Sequence, residues 1–115
     1  MLKTLELLNK HRIVKSYEVQ DFRQGPDFYF LKVRADLNNS TVLYIREYVS
    51  EDEYHYSYHW QEENGTLLVR WDNAPHHRRL KTFPHHKHVG EQILPSYEIT
   101  LEDVMKYIVA CVEER

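Results

Sequence analysis

Histidine is concentrated in one stretch of this chain, between Asp72 and Gly90. The stretch holds an APHH block and an FPHHKH block separated by a basic spacer, and a further histidine lies upstream in a run of alternating residues. The histidines concerned are His59, His76, His77, His85, His86 and His88. Because histidine titrates nearest neutral pH and is the commonest metal ligand, the cluster predicts acid–base chemistry, metal binding or a polar interaction surface.

Length and composition limit the architecture that can position these side chains. With 115 residues, 42% of them hydrophobic and 29% charged, the chain is expected to form one globular domain over residues 1–115. The net charge of −3 does not favour general nucleic-acid binding, although the segment 78–87 is basic. The single cysteine, Cys111, excludes an intrachain disulfide and a cysteine-based zinc site. Without a visible signal peptide or a long apolar run, we expect a cytoplasmic protein with no membrane contact.

The hydrophobic pattern changes from helical spacing to alternation and back again. Leucines at helical spacing predict an N-terminal helix over Met1–Lys10, and a Thr100 cap with Asp103 three residues later predicts a C-terminal helix. Between the helices, alternation predicts five strands. They are Ile13–Phe22, Phe28–Leu37, Thr41–Val49, Tyr54–Gln61 and Thr66–Asp72.

Turn lengths decide which side chains share a face of the sheet. Turns of three residues at 38–40, four at 50–53 and two at Asn64–Gly65 keep one apolar face continuous. The opposite face then carries two polar rows, one with Arg46, Ser57 and Asp72 and the next with Tyr44, His59 and Arg70. The expected fold is α+β, with a mainly antiparallel five-stranded sheet in meander order and the N- and C-terminal helices packed on one face.

The histidine-rich stretch leaves the polar face at Asp72–Asn73 and is predicted to be an irregular loop, since it is polar and interrupted by Pro75 and Pro84. We expect it to fold back over the polar face and enclose a groove. The catalytic candidates there are His59, Arg70, His76, His77, His85, His86, Lys87 and His88. The binding candidates are Arg46, Tyr44, Tyr48, Asp72 and Asn73.

Three strings in the second half of the sequence are specific enough to suggest a family. They are REYVSEDEYHYSYHWQ, LLVRWDNAPHH and FPHHKH, and with the terminal helix they span about Phe28 to Glu114. In these strings the chain resembles the TumE-like family of small prokaryotic toxin components of type II toxin–antitoxin modules. The resemblance implies a toxin role and a helix-turn-helix antitoxin as partner. It implies no catalytic residue set.

The first interpretation is a metal-independent ribonuclease, because small toxins often cleave RNA and the reaction needs few groups. One imidazole removes the proton of the 2′-OH, another protonates the leaving oxygen, and cations stabilise the phosphorane. The histidine cluster supplies the imidazoles, and Arg46, Arg70 and Lys87 supply the cations. Tyr44 and Tyr48 are placed to stack on unpaired bases.

Two other interpretations remain open from the sequence. In the first, a zinc ion is held by His85 and His88 with His76 or His77, and Asp72 supplies a carboxylate. In the second, the histidines form a non-enzymatic interaction surface. The prolines before each histidine pair make the chain rigid there, which suits such a surface as well as it suits catalysis.

Overall fold

The computed structural model describes residues 2–73, 84–96 and 98–113. Within these ranges the chain forms two helices and seven strands. In chain order they are α1 (Leu2–Lys10), β1 (Val14–Gln24), β2 (Phe28–Leu37), β3 (Thr41–Ser50), β4 (Tyr54–Glu62), β5 (Leu67–Asp72), β6 (His86–Val89), β7 (Gln92–Pro95) and α2 (Leu101–Glu113). No helix within the described ranges is both long and apolar enough to cross a bilayer.

All the strands join one sheet in sequential order, and every neighbouring pair is antiparallel. The predicted α+β class and meander order are therefore confirmed. The predicted number of strands is wrong, because β6 and β7 extend the sheet beyond β5 to a total of seven. Part of the expected irregular loop is thus a strand, His86–Val89, whose backbone pairs with the free edge of β5. Main-chain hydrogen bonds to β5 hold this strand, so it does not need the alternation of polar and apolar side chains from which strands are predicted.

Both helices cover the same face of the sheet, as predicted. Leu8 of α1 and Ile108 of α2 are 2% and 0% exposed, and they belong to one core with the inward residues of β2 to β5. Tyr107 of α2 meets the indole of Trp71 edge-on, with ring centroids 5.2 Å apart. The helices therefore bury the apolar face, and the other face, the open face, is covered by neither helix.

A carboxylate lies inside this core, on strand β3. Glu47 is 5% exposed, and it accepts hydrogen bonds of 2.6 Å from the hydroxyls of Thr4 and Tyr58, one on each oxygen. Burial and the nearby Glu47 charge raise the pKa of Tyr58 far above its usual range, so its phenol remains a donor. Glu47 therefore projects to the apolar face of the sheet, with the Thr4 and Tyr58 hydroxyls as its partners.

The capping pattern predicted for the C-terminal helix is present at the start of α2. The backbone N–H of Asp103 donates to the Thr100 hydroxyl at 3.3 Å, and the Thr100 N–H donates to the Asp103 carboxylate at 3.1 Å. These reciprocal bonds satisfy two donors at the helix start. Aspartate thus fills the position that glutamate usually holds.

The β4–β5 turn differs from the predicted two-residue turn, yet the predicted pairing beyond it is correct. Gly65 has a φ of 94°, and its N–H donates to the Glu62 carbonyl at 2.9 Å. The Glu62 N–H donates to the Thr66 carbonyl at 2.9 Å, so the loop between these two residues has three residues instead of the expected two. A bulge at Leu68 takes up the extra residue, because Gln61 pairs with Leu67 while Trp60 pairs with Val69.

The outer edge strand β1 also departs from regular pairing. Its register with β2 shifts twice, between Val14 and Ser16 and between Val19 and Asp21. Each shift marks a bulge in this long, mostly exposed strand.

Candidate functional site

Two rows of polar side chains cross the open face of the sheet. Directly paired residues of neighbouring strands project to the same side, so the pairing fixes the membership of each row. The Asp72 row consists of Lys32, Arg46, Ser57, Asp72 and His86. The Arg70 row consists of Arg34, Tyr44, His59, Arg70 and His88. The predicted placement of Arg46, Ser57 and Asp72 in one row is confirmed, and the structure adds a histidine to each row.

A groove runs along these rows. It consists of two adjoining cavities of about 390 and 400 Å³, and both are lined by Arg46, Ser57 and Arg70. Phe30 and Tyr48 line one end of the groove. The groove therefore combines guanidinium groups with aromatic rings, a pairing suited to ligands that carry both phosphates and bases.

Asp72 is the buried centre of the groove wall. Its side chain is 5% exposed, and its Oδ2 lies 3.2 Å from Arg70 Nε and 3.5 Å from His88 Nε2. Its Oδ1 lies 2.7 Å from His86 Nε2. A carboxylate withdrawn from water needs such partners to offset its desolvation, so Asp72 holds these three side chains in place.

The second bond of the His86 ring defines where its protons lie. Its side chain is 2% exposed, and its Nδ1 lies 3.0 Å from the Pro84 carbonyl oxygen. A carbonyl can only accept, so the Nδ1 carries a proton and donates it. The other ring nitrogen, Nε2, is therefore the atom that faces the Asp72 carboxylate.

His59 has a different environment in the next row. Its Nε2 lies 3.0 Å from the Gln61 side-chain oxygen, and its ring meets Tyr44 edge-on at 6.2 Å. Burial lowers the pKa of His59; the Gln61 hydrogen bond opposes this shift, and the charge of Arg70 adds to it. The lowered pKa favours the uncharged ring, and an uncharged ring that donates to Gln61 through Nε2 keeps a lone pair on Nδ1.

Asn73 is placed beside the groove, but both atoms of its amide are used by the backbone of β4. Its Nδ2 donates to the Tyr54 carbonyl at 2.6 Å, and its Oδ1 accepts from the Tyr56 N–H at 2.9 Å. The side chain is thus a clamp between β4 and the end of β5.

Lys87 of β6 and His85, which immediately precedes β6, project to the opposite side from His86 and His88. His85 Nδ1 lies 2.8 Å from the Tyr56 hydroxyl, and the two rings are stacked with centroids 5.8 Å apart. Lys87 pairs with Trp71, whose side chain is on the helix-covered face. The structure thus separates these two candidates from His86 and His88.

Of the other candidates, Arg46, Tyr44 and Tyr48 line the groove, while His76 and His77 lie outside the described residues. Phe30 also lines it and was missed by the sequence analysis; the Arg46 guanidinium lies 5.2 Å from its ring centroid. Its position in the alternation of β2 was the signal that could have revealed it.

Comparison of the chain with known protein families finds a match. The model of a family described as Toxin TumE matches residues 4–115, nearly the whole chain. The chain belongs to the TumE toxin family. The match confirms the resemblance and extends it to residues before Phe28. No curated protein and no solved structure matches the chain. Membership of a toxin family suggests an antitoxin as partner.

Proposed function

We propose that this TumE-family chain is the toxin of a toxin–antitoxin module and that its groove binds and cleaves RNA without a metal ion. The observation that carries the proposal is the Arg70 row, in which His59 and His88 flank Arg70 on three adjacent strands. One imidazole on each side of a guanidinium supplies the base, the acid and the cation that cleavage through the 2′-OH needs. Family membership supports the toxin role.

The sheet sets the spacing of these groups. Neighbouring strands lie about 4.8 Å apart, so the backbones of His59 and His88 are separated by roughly 10 Å. A phosphodiester held over Arg70 would thus have one imidazole on each side. Rigid strands suit this work because acid–base groups must keep a fixed geometry about the phosphate.

The proposed reaction is an internal transesterification. His59 removes the proton from the 2′-OH, and the 2′-oxygen forms a bond to phosphorus. Arg70 stabilises the negative charge of the phosphorane. The bond from phosphorus to the 5′-oxygen breaks, and His88 supplies the proton to that leaving oxygen. The products are a 2′,3′-cyclic phosphate and a free 5′-hydroxyl.

Other groove residues would bind the strand on either side of the cleaved bond. Arg46 and Lys32 would contact neighbouring phosphates, and Tyr44, Tyr48 and Phe30 offer faces for unpaired bases. His86 would act through Asp72, whose position it fixes. We also propose that the neutralising partner is a helix-turn-helix antitoxin.

Purified protein and RNA provide the direct test. Wild-type protein in EDTA should cleave single-stranded RNA, and His59→Ala should lower the rate by about 10²–10⁴. Arg70→Ala should also lower it. Lys87→Ala is the matched control, since it removes a cation from the other side of β6. RNA left intact by wild type, or cleavage that survives both groove substitutions, would contradict the proposal.

The same variants can be expressed in a bacterial host without a partner. Wild type and Lys87→Ala should arrest growth, whereas His59→Ala and Arg70→Ala should not. Thermal unfolding of each protein separates a loss of chemistry from a loss of fold. Growth that continues under high expression of folded wild type would remove the support for toxicity.

A further inference from the structure

We propose that Asp72, His86 and His88 bind one divalent transition-metal ion of the zinc class at the wall of the groove. This ligand set differs from the one expected from sequence, which relied on His85. The proposed site goes beyond RNA cleavage, although its effect on cleavage rests on the proposed function.

The three side chains already converge on one point. One ligand atom from each lies within 4.8 Å of the others. Zinc holds nitrogen and oxygen ligands at about 2.0–2.2 Å, which places tetrahedral ligand atoms about 3.4 Å apart. His88 Nε2 lies 3.5 Å from Asp72 Oδ2, while His86 Nε2 lies closer, 2.7 Å from Oδ1. Small side-chain movements would complete the coordination.

The strands hold these ligands without a flexible loop. Asp72 and His86 are directly paired across β5 and β6, and His88 is two residues further along the same face of β6. The side chain of His88 is 25% exposed, while those of Asp72 and His86 are 5% and 2% exposed. The site thus has a buried back formed by Asp72 and His86 and a partly exposed side at His88, where water could fill a fourth position.

The ring of His86 is oriented as metal-bound imidazoles usually are. Its Nδ1–H donates to the Pro84 carbonyl, so its Nε2 is directed at the same point as the Asp72 carboxylate. A second ring bond to a backbone carbonyl is a regular feature of histidine ligands. Nε2 lies 2.7 Å from Asp72 Oδ1, so a metal ion near these two atoms could accept a lone pair from each.

One neighbour works against tight binding. Arg70 Nε lies 3.2 Å from Asp72 Oδ2, and its positive charge opposes a second cation there. Three ligands of the type N, N and O suit zinc, cobalt and nickel better than magnesium or calcium. We therefore expect reversible binding of a transition metal, weaker than in a structural zinc site.

Metal binding would also change the groove. Coordination uses the Nε2 lone pair of His88 and so removes the proposed proton donor from the Arg70 row. Zinc should consequently inhibit the metal-independent cleavage, and a chelator should restore it.

Cobalt(II) is the probe of choice, since its visible absorption reports tetrahedral coordination by protein ligands. The full chain, free of any histidine tag, should bind one equivalent of cobalt, and zinc should displace it. His88→Ala should abolish the absorption band. Asp72→Asn should do so too, because the neutral amide is a poor ligand, and circular dichroism will show whether this buried variant is folded. His85→Ala is the matched control, as its ring stacks on Tyr56 on the other face; it should bind like wild type.

The results separate the two proposals. Binding that persists in His88→Ala, or is lost equally in His85→Ala, would mean adventitious binding by the histidine-rich stretch and overturn the site. No cobalt binding by wild type would do the same, even if RNA is cleaved in EDTA. Cobalt binding with RNA left intact would support the metal site and contradict the ribonuclease.

Discussion

Asp72 and His86 face each other across β5 and β6, with Oδ1 and Nε2 2.7 Å apart and with side chains only 5% and 2% exposed. Each therefore helps to offset the cost of burying the other. Removing one partner of a buried pair typically costs more than the pair itself contributes, because the remaining group stays buried without its partner. This contact thus joins the stability of the sheet edge to the geometry of the groove.

Replacing Asp72 with alanine should accordingly lower the free energy of unfolding by about 3 kcal/mol or more. Urea unfolding monitored by tryptophan fluorescence measures it. Asp36→Ala is the control, because its ion pair with Arg34 has side chains 39% and 41% exposed and should contribute less than about 1 kcal/mol. Equal effects of the two substitutions would show that burial of Asp72 is not important.

Alkaline pH should destabilise the fold through its buried phenols. Burial, opposed in part by its hydrogen bond to Tyr58, raises the pKa of Tyr54 from 10.0 to about 12. Below pH 10 the phenol is protonated in both states, and the stabilisation is fully present. Between pH 10 and 12 the unfolded chain loses its proton first, so stability falls as pH rises. Unfolding experiments across this range should show a shallower decline for Tyr54→Phe; an unchanged slope would contradict this assignment.

The environment of His59 predicts two shifts of opposite sign. Its pKa is lowered by burial and by Arg70 and raised by the Gln61 hydrogen bond. Gln61→Ala should therefore lower its NMR titration midpoint, and Arg70→Ala should raise it. Because the folded pKa of His59 lies below its ordinary value of 6.5, His59 should stabilise the protein fully above pH 6.5 and progressively less as pH falls. Shifts of the same sign would exclude this arrangement.

The start of α2 offers a test away from the groove. Thr100→Ala removes the hydroxyl that accepts from the Asp103 N–H and should cost about 1 kcal/mol. Thr100→Ser keeps the acceptor and should retain most of the stability. Chemical denaturation of the two variants measures the difference, and RNA cleavage should be unaffected in both.

The sequence predicted the centre of the sheet well because face consistency restricts the register. Shifting β3 by one residue against β2 would place Arg46 opposite Leu31 in the core, whereas the observed pairing keeps this guanidinium out of the core and buries only one charged group of β3, the carboxylate of Glu47. With the predicted turns, this register also places Arg46, Ser57 and Asp72 in one row. The Leu68 bulge was not predictable in this way, since it cancels the longer turn and leaves the faces unchanged.

The prediction was wrong at β6 for a related reason. His86, Lys87 and His88 give no apolar alternation, so nothing local marks a strand. β6 pairs with the exposed edge of β5 and contacts the Asp72 carboxylate, and both of these belong to the preceding strand rather than to the local sequence of β6. Because β6 was predicted as a loop, the projection of His85 and Lys87 away from the groove was not predicted either.

The two register shifts in β1 should disfavour self-association through this edge of the sheet. Within the described residues β1 pairs only with β2, so its outer side presents free amide and carbonyl groups with which a strand of another chain could pair. Irregularities between Val14 and Ser16 and between Val19 and Asp21 interrupt that row. An incoming strand would find no long continuous ladder, and the exposed Phe22 nearby would not by itself seed a fibril.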